Sequence, residues 1–227
     1  QAGNSVAVEG YQFIFGSDGS DTTLNGAQSN YSVDGESAPI TNFIYGFSGD
    51  DSITGGLGAD WFIGGPGSDT FKYLAAGDSS PDTATLNASA STDDGTPTGT
   101  VTVTAAEKII GALDTIVDFD PAEDLLDLSA IVNSDTSGGG TGPGVDSPDV
   151  ADGGNSDSDF KAVIDTGADG DGSANSLINI FSFGGDQFVV VDNSSAGTFQ
   201  SGTDLLIRLQ GEPITASGGV TNDLFIV

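Results

Sequence analysis

The chain of 227 residues contains no cysteine, no histidine and no methionine. Without cysteine there are no disulfides and no thiol chemistry. Without histidine there is no imidazole base and no imidazole metal ligand. Neither a Ser-His-Asp nor a Cys-His set can be assembled, and the zinc-protease motif H-E-x-x-H is absent. A carboxylate pair can hydrolyse glycosides, but a chain this acidic brings such pairs together by chance, so catalysis is not expected here. Basic residues are almost missing: Lys72, Lys108, Lys161 and Arg208 stand against 34 acidic residues, for a net charge of −30. That excludes nucleic acid as a natural partner, and direct adhesion to an anionic membrane. No apolar run is long enough to span a membrane, and no basic-then-apolar leader opens the chain. With no methionine and Gln1 first, the expectation is a fragment or processed product of a longer polypeptide.

What the chain has is glycine and aspartate in register. Residues 46–72 read GFSGDDSIT, GGLGADWFI, GGPGSDTFK: three nine-residue units with Gly first and fourth, Asp sixth and a large apolar residue eighth. Six Gly-rich residues suit a turn, and three residues suit a short strand whose middle side chain points inward. Two units complete one coil, so residues 18 apart stack on the same side. A turn that exposes carbonyls and one carboxylate, facing another such turn, offers about six oxygens, which suits Ca²⁺. Oxygen-only ligation argues against zinc and copper. The spacing predicts that Asp51 and Asp69 share one site with carbonyls around Gly46, Ser48, Gly65 and Gly67. Asp60 and Asp78 then share another on the opposite side, with the Gly55 and Leu57 carbonyls. Ile53, Phe62 and Phe71 should stack inside, continued by Ile44 and Ile14, while Trp61 points outward.

These units resemble the RTX nonapeptide, G-G-x-G-x-D-x-U-x, which forms a calcium-bound parallel β-roll. Upstream, residues 13–21 parallel residues 43–51 thirty positions later, so the first 45 residues read as degenerate coils interrupted near 31–41. A hairpin packed on the roll is the alternative. Asp18 and Asp21 are candidate ligands without a clear partner. Asp78 falls nine residues after Asp69, in a turn that has lost its glycines and should close the roll.

The order that follows resembles the C-terminal domain of serralysin-type secreted proteases, and related modules that end other type I-secreted and surface-layer proteins. Phe71/Tyr73, Gly77-Asp78-Ser79, residues 114–119 (DTIVDF) and residues 124–131 (DLLDLSAI) carry the likeness. The chain departs from it by inserting 79–113, whose alternating Thr, Ala and Val read as a β-hairpin, with a helical turn at 105–108. The resemblance implies that Asp114 joins the last calcium site; a strand-capping turn residue is the other reading. Residues 133–175 read as an acidic flexible loop, and 165–173 look like an EF-hand loop without its closing Glu. Strands over 177–183, 187–192 and 204–209 should form hairpins that cap the roll. Residues 222–227 resemble a C-terminal type I secretion signal and also read as a last strand.

The expected fold is all-β: a calcium-bound parallel β-roll over 1–78, the 79–113 insertion, and an antiparallel β-sandwich-like C-terminal cap over 114–227. The expected function is a calcium-binding module with a type I secretion signal, extracellular or at the cell surface. Its partners would be Ca²⁺ and the type I secretion machinery. The alternative is a self-assembling, calcium-dependent surface-layer or fibre subunit.

Overall fold

The computed structural model describes residues 4–8, 10–27, 30–33, 36–87, 91–93, 101–131, 145–146, 157–168, 177–214 and 225–226. The elements in order are β1 (Asn4–Val8), β2 (Tyr11–Phe15), β3 (Leu24–Asn25), β4 (Asn30–Val33), β5 (Glu36–Pro39), β6 (Thr41–Tyr45), β7 (Ser52–Thr54), β8 (Trp61–Ile63) and β9 (Thr70–Lys72). A 3₁₀ turn (Ala76–Ser79) leads to α1 (Thr83–Leu86), β10 (Ser91–Asp93), β11 (Val101–Val103), α2 (Ala105–Ile110), β12 (Asp114–Phe119) and β13 (Leu125–Asp127). Then come β14 (Val145–Asp146), α3 (Asp157–Gly167), β15 (Leu177–Phe183), β16 (Asp186–Asp192), β17 (Leu205–Gly211) and β18 (Phe225–Ile226).

Each glycine-rich turn halts a strand after three to five residues and sends the chain to the opposite wall. Among the described residues, one sheet has the order β1-β2-β6-β8-β12-β17-β16-β15-β14 and a second the order β18-β13-β9-β7-β3. From β2 to β13 the roll strands alternate between the two walls and lie parallel within each. This is a parallel β-roll. Ile44 pairs with Phe62 and Ser52 with Thr70, the 18-residue repeat of two nonapeptides. Phe13 pairs with Phe43, the thirty-residue offset, and the β4–β5 hairpin takes up the extra length. Strand β1 departs from the early-coil reading, because it runs antiparallel to β2 as an edge strand.

In the three-residue strands of the roll the middle residue faces in, and in β2 and β6 the fourth residue does. Ile14, Ile44, Phe62 and Ile116 line one wall, Leu24, Ile53, Phe71 and Leu126 the other, all buried in one cluster. Trp61 is 40% exposed and Phe62 2%. Outside, Phe13 stacks on Phe43 at 5.1 Å and Phe43 on Trp61 at 6.5 Å.

The roll does not close at Asp78. After the insertion the chain returns, placing Ile116 beside Phe62 and Leu126 beside Phe71. Within the insertion, β10 and β11 pair antiparallel, but Thr83–Leu86, where the first strand of the hairpin is expected, is helical, because Asp82 caps it by accepting from Thr85 N at 2.6 Å. Thr104 and Glu107 cap α2 reciprocally.

The antiparallel strands β15, β16 and β17 extend the first sheet, β17 lying parallel to β12. The period-two alternation then covers both faces. Ile178, Val189, Val191, Leu205, Ile207 and Leu209 join the roll core. Phe181, Phe183, Phe188, Val190 and Leu206 pack with helical residues such as Ile109, Phe160 and Ile164. Helices therefore supply one layer of the cap. Within the stretch 133–175 read as a flexible loop, residues 157–168 are corrected by helix α3: Phe160, Val163, Ile164 and Ala168 recur at helical spacing and are buried; apart from Val145–Asp146 the rest of that stretch lies outside the described residues. Asp165 lies in α3 and pairs with Lys161 at 2.6 Å; residues 169–173 of the EF-hand-like run lie outside the described residues. At the end, Phe225 pairs with Leu126, so the terminal run supplies an edge strand to the second sheet.

Candidate metal centre

The three turns of the 46–72 repeat are built around their own aspartates. A Cβ at Gly46, Gly55 or Gly64 would overlap Oδ2 of Asp51, Asp60 or Asp69 respectively, so the first glycine of each unit keeps the carboxylate cradle open. The glycine at the fourth place of the last unit, Gly67, has φ +143°, where a side chain is strained. At the second place of the first unit Phe47 takes φ +77° without being glycine. Its ring contacts Tyr45 at 4.3 Å, a packing that holds the strained backbone.

The aspartates form two hydrogen-bonded ladders, one on each side of the roll. On the first, Asp21 N donates to Asp51 Oδ1 at 2.8 Å, Asp51 N to Asp69 Oδ1 at 2.9 Å, and Asp69 N to Asp124 Oδ1 at 2.9 Å. On the second, Asn42 N donates to Asp60 Oδ1 at 2.6 Å and Asp60 N to Asp114 Oδ1 at 2.8 Å. The end members of the first ladder have partners for the other oxygen: Asp21 Oδ2 accepts from Ser17, and Asp124 Oδ2 from Asp120 N. The inner members of the first ladder and both aspartates of the second do not. Oδ2 of Asp51, Asp60, Asp69 and Asp114 is buried and accepts no hydrogen bond. Buried carboxylates without partners are costly, and no ion pair among the described residues reaches these four.

This donor set fits a hard cation. It is all oxygen, it is buried, and glycine keeps it open. Among the described residues no three carboxylates gather on one point, so backbone oxygens would complete each shell.

Asp51 and Asp69 stand together, as the 18-residue spacing predicts. Asp78 does not stand in the Asp60 ladder. The returning strand places Asp114 there instead, and Asp78 Oδ2 accepts from Leu74 N and Ala75 N of its own turn. Its charge still bears on Asp60 and Asp114. Gly46, Ser48, Gly55, Leu57, Gly65 and Gly67 all lie in the turns. The Gly55 carbonyl accepts from Asn42 Nδ2 at 3.1 Å. Sequence reasoning missed Asn42, Asp118 and Asp124, and left Asp21 without its partner. The signal for Asn42 was its place 18 residues before Asp60. Asp118 accepts from Gly64 N and Gly65 N at 3.0 and 2.9 Å, from a strand no local spacing could align. Asp18 is exposed.

Burial pushes five of the ladder carboxyl groups up. Asp69 rises to about 7 through burial, with the charges of Asp124 and Asp51 adding to it. Asp124 rises to about 6, again chiefly through burial. Asp51, Asp60 and Asp114 move the same way for the same first reason. In the unfolded chain these groups titrate near 3.8. The metal-free fold therefore binds more protons than the unfolded chain between those values. That contribution to stability is complete below about 4 and is lost as pH rises through about 6–7. Metal ligation needs the ionised form and runs the other way. Calcium affinity should therefore weaken as pH falls from about 7 to about 5, while in chelator acidification should favour the compact state. Titration calorimetry and circular dichroism across this range check both signs; an affinity flat with pH contradicts the assignment.

Residues 41–71 match the family model of the RTX calcium-binding nonapeptide repeat (4 copies). No curated protein matches the chain. Among solved structures, the AlgE6R3 subunit of the Azotobacter vinelandii mannuronan C5-epimerase is similar at 21% identity, over 94% of this chain and 76% of that one, with a TM-score of 0.45. The AlgE6R2 subunit of the same enzyme is similar at 23% identity, over 94% of this chain and 91% of that one, with a TM-score of 0.43. Scores of that size carry no argument about activity. The segment that positions Asn42, Asp51, Asp60 and Asp69 is a run of RTX calcium-binding nonapeptide repeats.

Proposed function

We propose that the chain is a calcium-binding module of a larger secreted protein, open in calcium-poor cytoplasm and folded by calcium outside the cell. The observation that carries this reading is the set of four buried carboxylate oxygens, two on each side of the roll, that accept no hydrogen bond. Asp51 and Asp69 would hold ions on one side, Asp60 and Asp114 on the other. Carbonyls of the turns at Gly46, Ser48, Gly55, Leu57, Gly65 and Gly67 are the further candidates. Bound calcium supplies the positive charge that these carboxylates need in order to lie this close. The chain supplies the geometry: each Oδ1 is fixed by the preceding backbone N–H, and each first glycine leaves room beside Oδ2. Residues 222–227, with their likeness to a type I secretion signal, complete the reading as the part that leads export.

The test is equilibrium dialysis against calcium. Asp69→Asn keeps the Oδ1 acceptor and removes the charge. It should lose at least one equivalent, or weaken its remaining binding at least about tenfold, about 1.4 kcal/mol. Binding equal to that of the unaltered chain would contradict the reading.

A surface-layer or fibre subunit is the second reading. It draws on the exposed row Tyr11, Phe13, Phe15, Trp61 and Ile63 on the outer face of the first sheet. Sheets or filaments seen by electron microscopy only in calcium would favour it over a monomeric module.

A further inference from the structure

A second carboxylate pair lies in the cap, away from the nonapeptide turns. Strands β16 and β17 pair antiparallel with Val191 opposite Leu205, a register that sets Asp192 against Asp204 where loop 193–203 joins the two strands. Both residues are fully buried. Like charges directly opposite one another destabilise a sheet, so this placement calls for a neutralising partner.

The loop 193–203 folds over the pair. Asn193 N donates to Asp204 Oδ1 at 2.9 Å and Gln200 N to Asp204 Oδ2 at 2.6 Å. Ser194 N donates to Asp192 Oδ1 at 3.0 Å. The Ser194 hydroxyl lies between the two carboxyl groups, 3.3 Å from Asp192 Oδ1 and 3.4 Å from Asp204 Oδ2. Asp192 Oδ2 is buried and accepts no hydrogen bond, the same condition as the inner rungs of the roll ladders. Lys72, Lys161 and Arg208 pair with Asp127, Asp165 and Asp186, so none of these three neutralises the pair.

We propose that Asp192, Asp204 and the Ser194 hydroxyl form a calcium site outside the roll, which pins loop 193–203 to the end of the β16–β17 hairpin that it joins. The donors are two carboxylates and a hydroxyl, and such an oxygen set selects a hard cation over zinc or copper. A shared proton is the competing way to neutralise the pair.

The site is independent of the roll, and its test is arranged to show that. Equilibrium dialysis with radioactive calcium compares the unaltered chain with Asp192→Asn. The variant should bind one equivalent fewer, with the remaining equivalents at unchanged affinity. If the roll bound nothing, the unaltered chain would still bind one equivalent that the variant lacks. An Asp192→Asn chain that folds and binds as many equivalents as the unaltered chain overturns the proposal. If the variant fails to fold, a crystal structure of the unaltered chain grown in millimolar calcium decides. Metal density touching both carboxylates supports the site, and two carboxyl groups in direct hydrogen-bond contact without metal overturn it.

Discussion

Phe62→Ala should lower the stability of the calcium-loaded chain by about 3–5 kcal/mol. Phe62 is 2% exposed and sits at the middle of its wall, between Ile44 and Ile116. Its ring lies 6.1 Å from that of Phe71 across the roll, and Gly55 leaves room for its Cζ. Truncation removes the transfer energy of a whole ring and leaves a cavity. Three-residue strands tied at both ends by hydrogen-bonded turns have little freedom to close it. The loss is a large share of the about 5–15 kcal/mol that holds a typical domain together. Trp61→Ala, one residue away on the 40% exposed face, should cost far less. Urea unfolding in saturating calcium measures both. A larger loss at Trp61 than at Phe62 would mean that the inward face has been misassigned.

Removing calcium should have a still larger effect and dissolve the roll. The chain carries a net charge of −30 with four basic residues. Four buried carboxylate oxygens in the ladders have no donor, and burial opposes their charge. Glycine-rich turns lose much backbone entropy on ordering, and strands of three residues bury little to offset it. Ion binding to the folded chain alone adds to folding stability, about 2.7 kcal/mol for each site at a hundred times its dissociation constant. Several sites together match the whole stability of a domain of this size. In excess chelator at neutral pH, circular dichroism should show most of the β-signal lost. Calcium should restore it cooperatively in the range of about 10⁻⁴–10⁻³ M that suits extracellular modules. Mg²⁺ should restore it poorly, because it demands a tighter octahedral shell. A β-signal and thermal midpoint unchanged by chelator would contradict this.

The repeat was legible because its signal is local. Nine-residue spacing sets which side chain faces in, so Ile53 and Phe71 on one wall and Phe62 on the other could be placed from residue types alone. The thirty-residue echo of 13–21 in 43–51 likewise marked early coils of the roll, and β2 lies beside β6 at that offset. What could not be read was the return. Nothing in residues 79–113 marks that the chain comes back to lay β12 beside β8, so Asp78, next in the count, was given the place that Asp114 occupies. Asp118 and Asp124 were missed for the same reason, since their partners Gly64 and Asp69 lie more than fifty residues upstream. Helix α3 was a different failure. Its period of buried Phe160, Val163 and Ile164 is present in the sequence, but acidic and small residues around it masked it. In the insertion, Thr-Ala-Thr-Leu at 83–86 alternates like a strand, and the cap by Asp82 decided for helix.

The most direct measurement of the central claim is a crystal structure of the chain grown in millimolar calcium, with anomalous scattering used to locate the ions. The account predicts metal density on both sides of the roll, with Oδ2 of Asp51 and Asp69 on one side and of Asp60 and Asp114 on the other at about 2.3–2.6 Å from an ion. A folded roll in which these oxygens meet only water or protons, with no metal beside them, would contradict it.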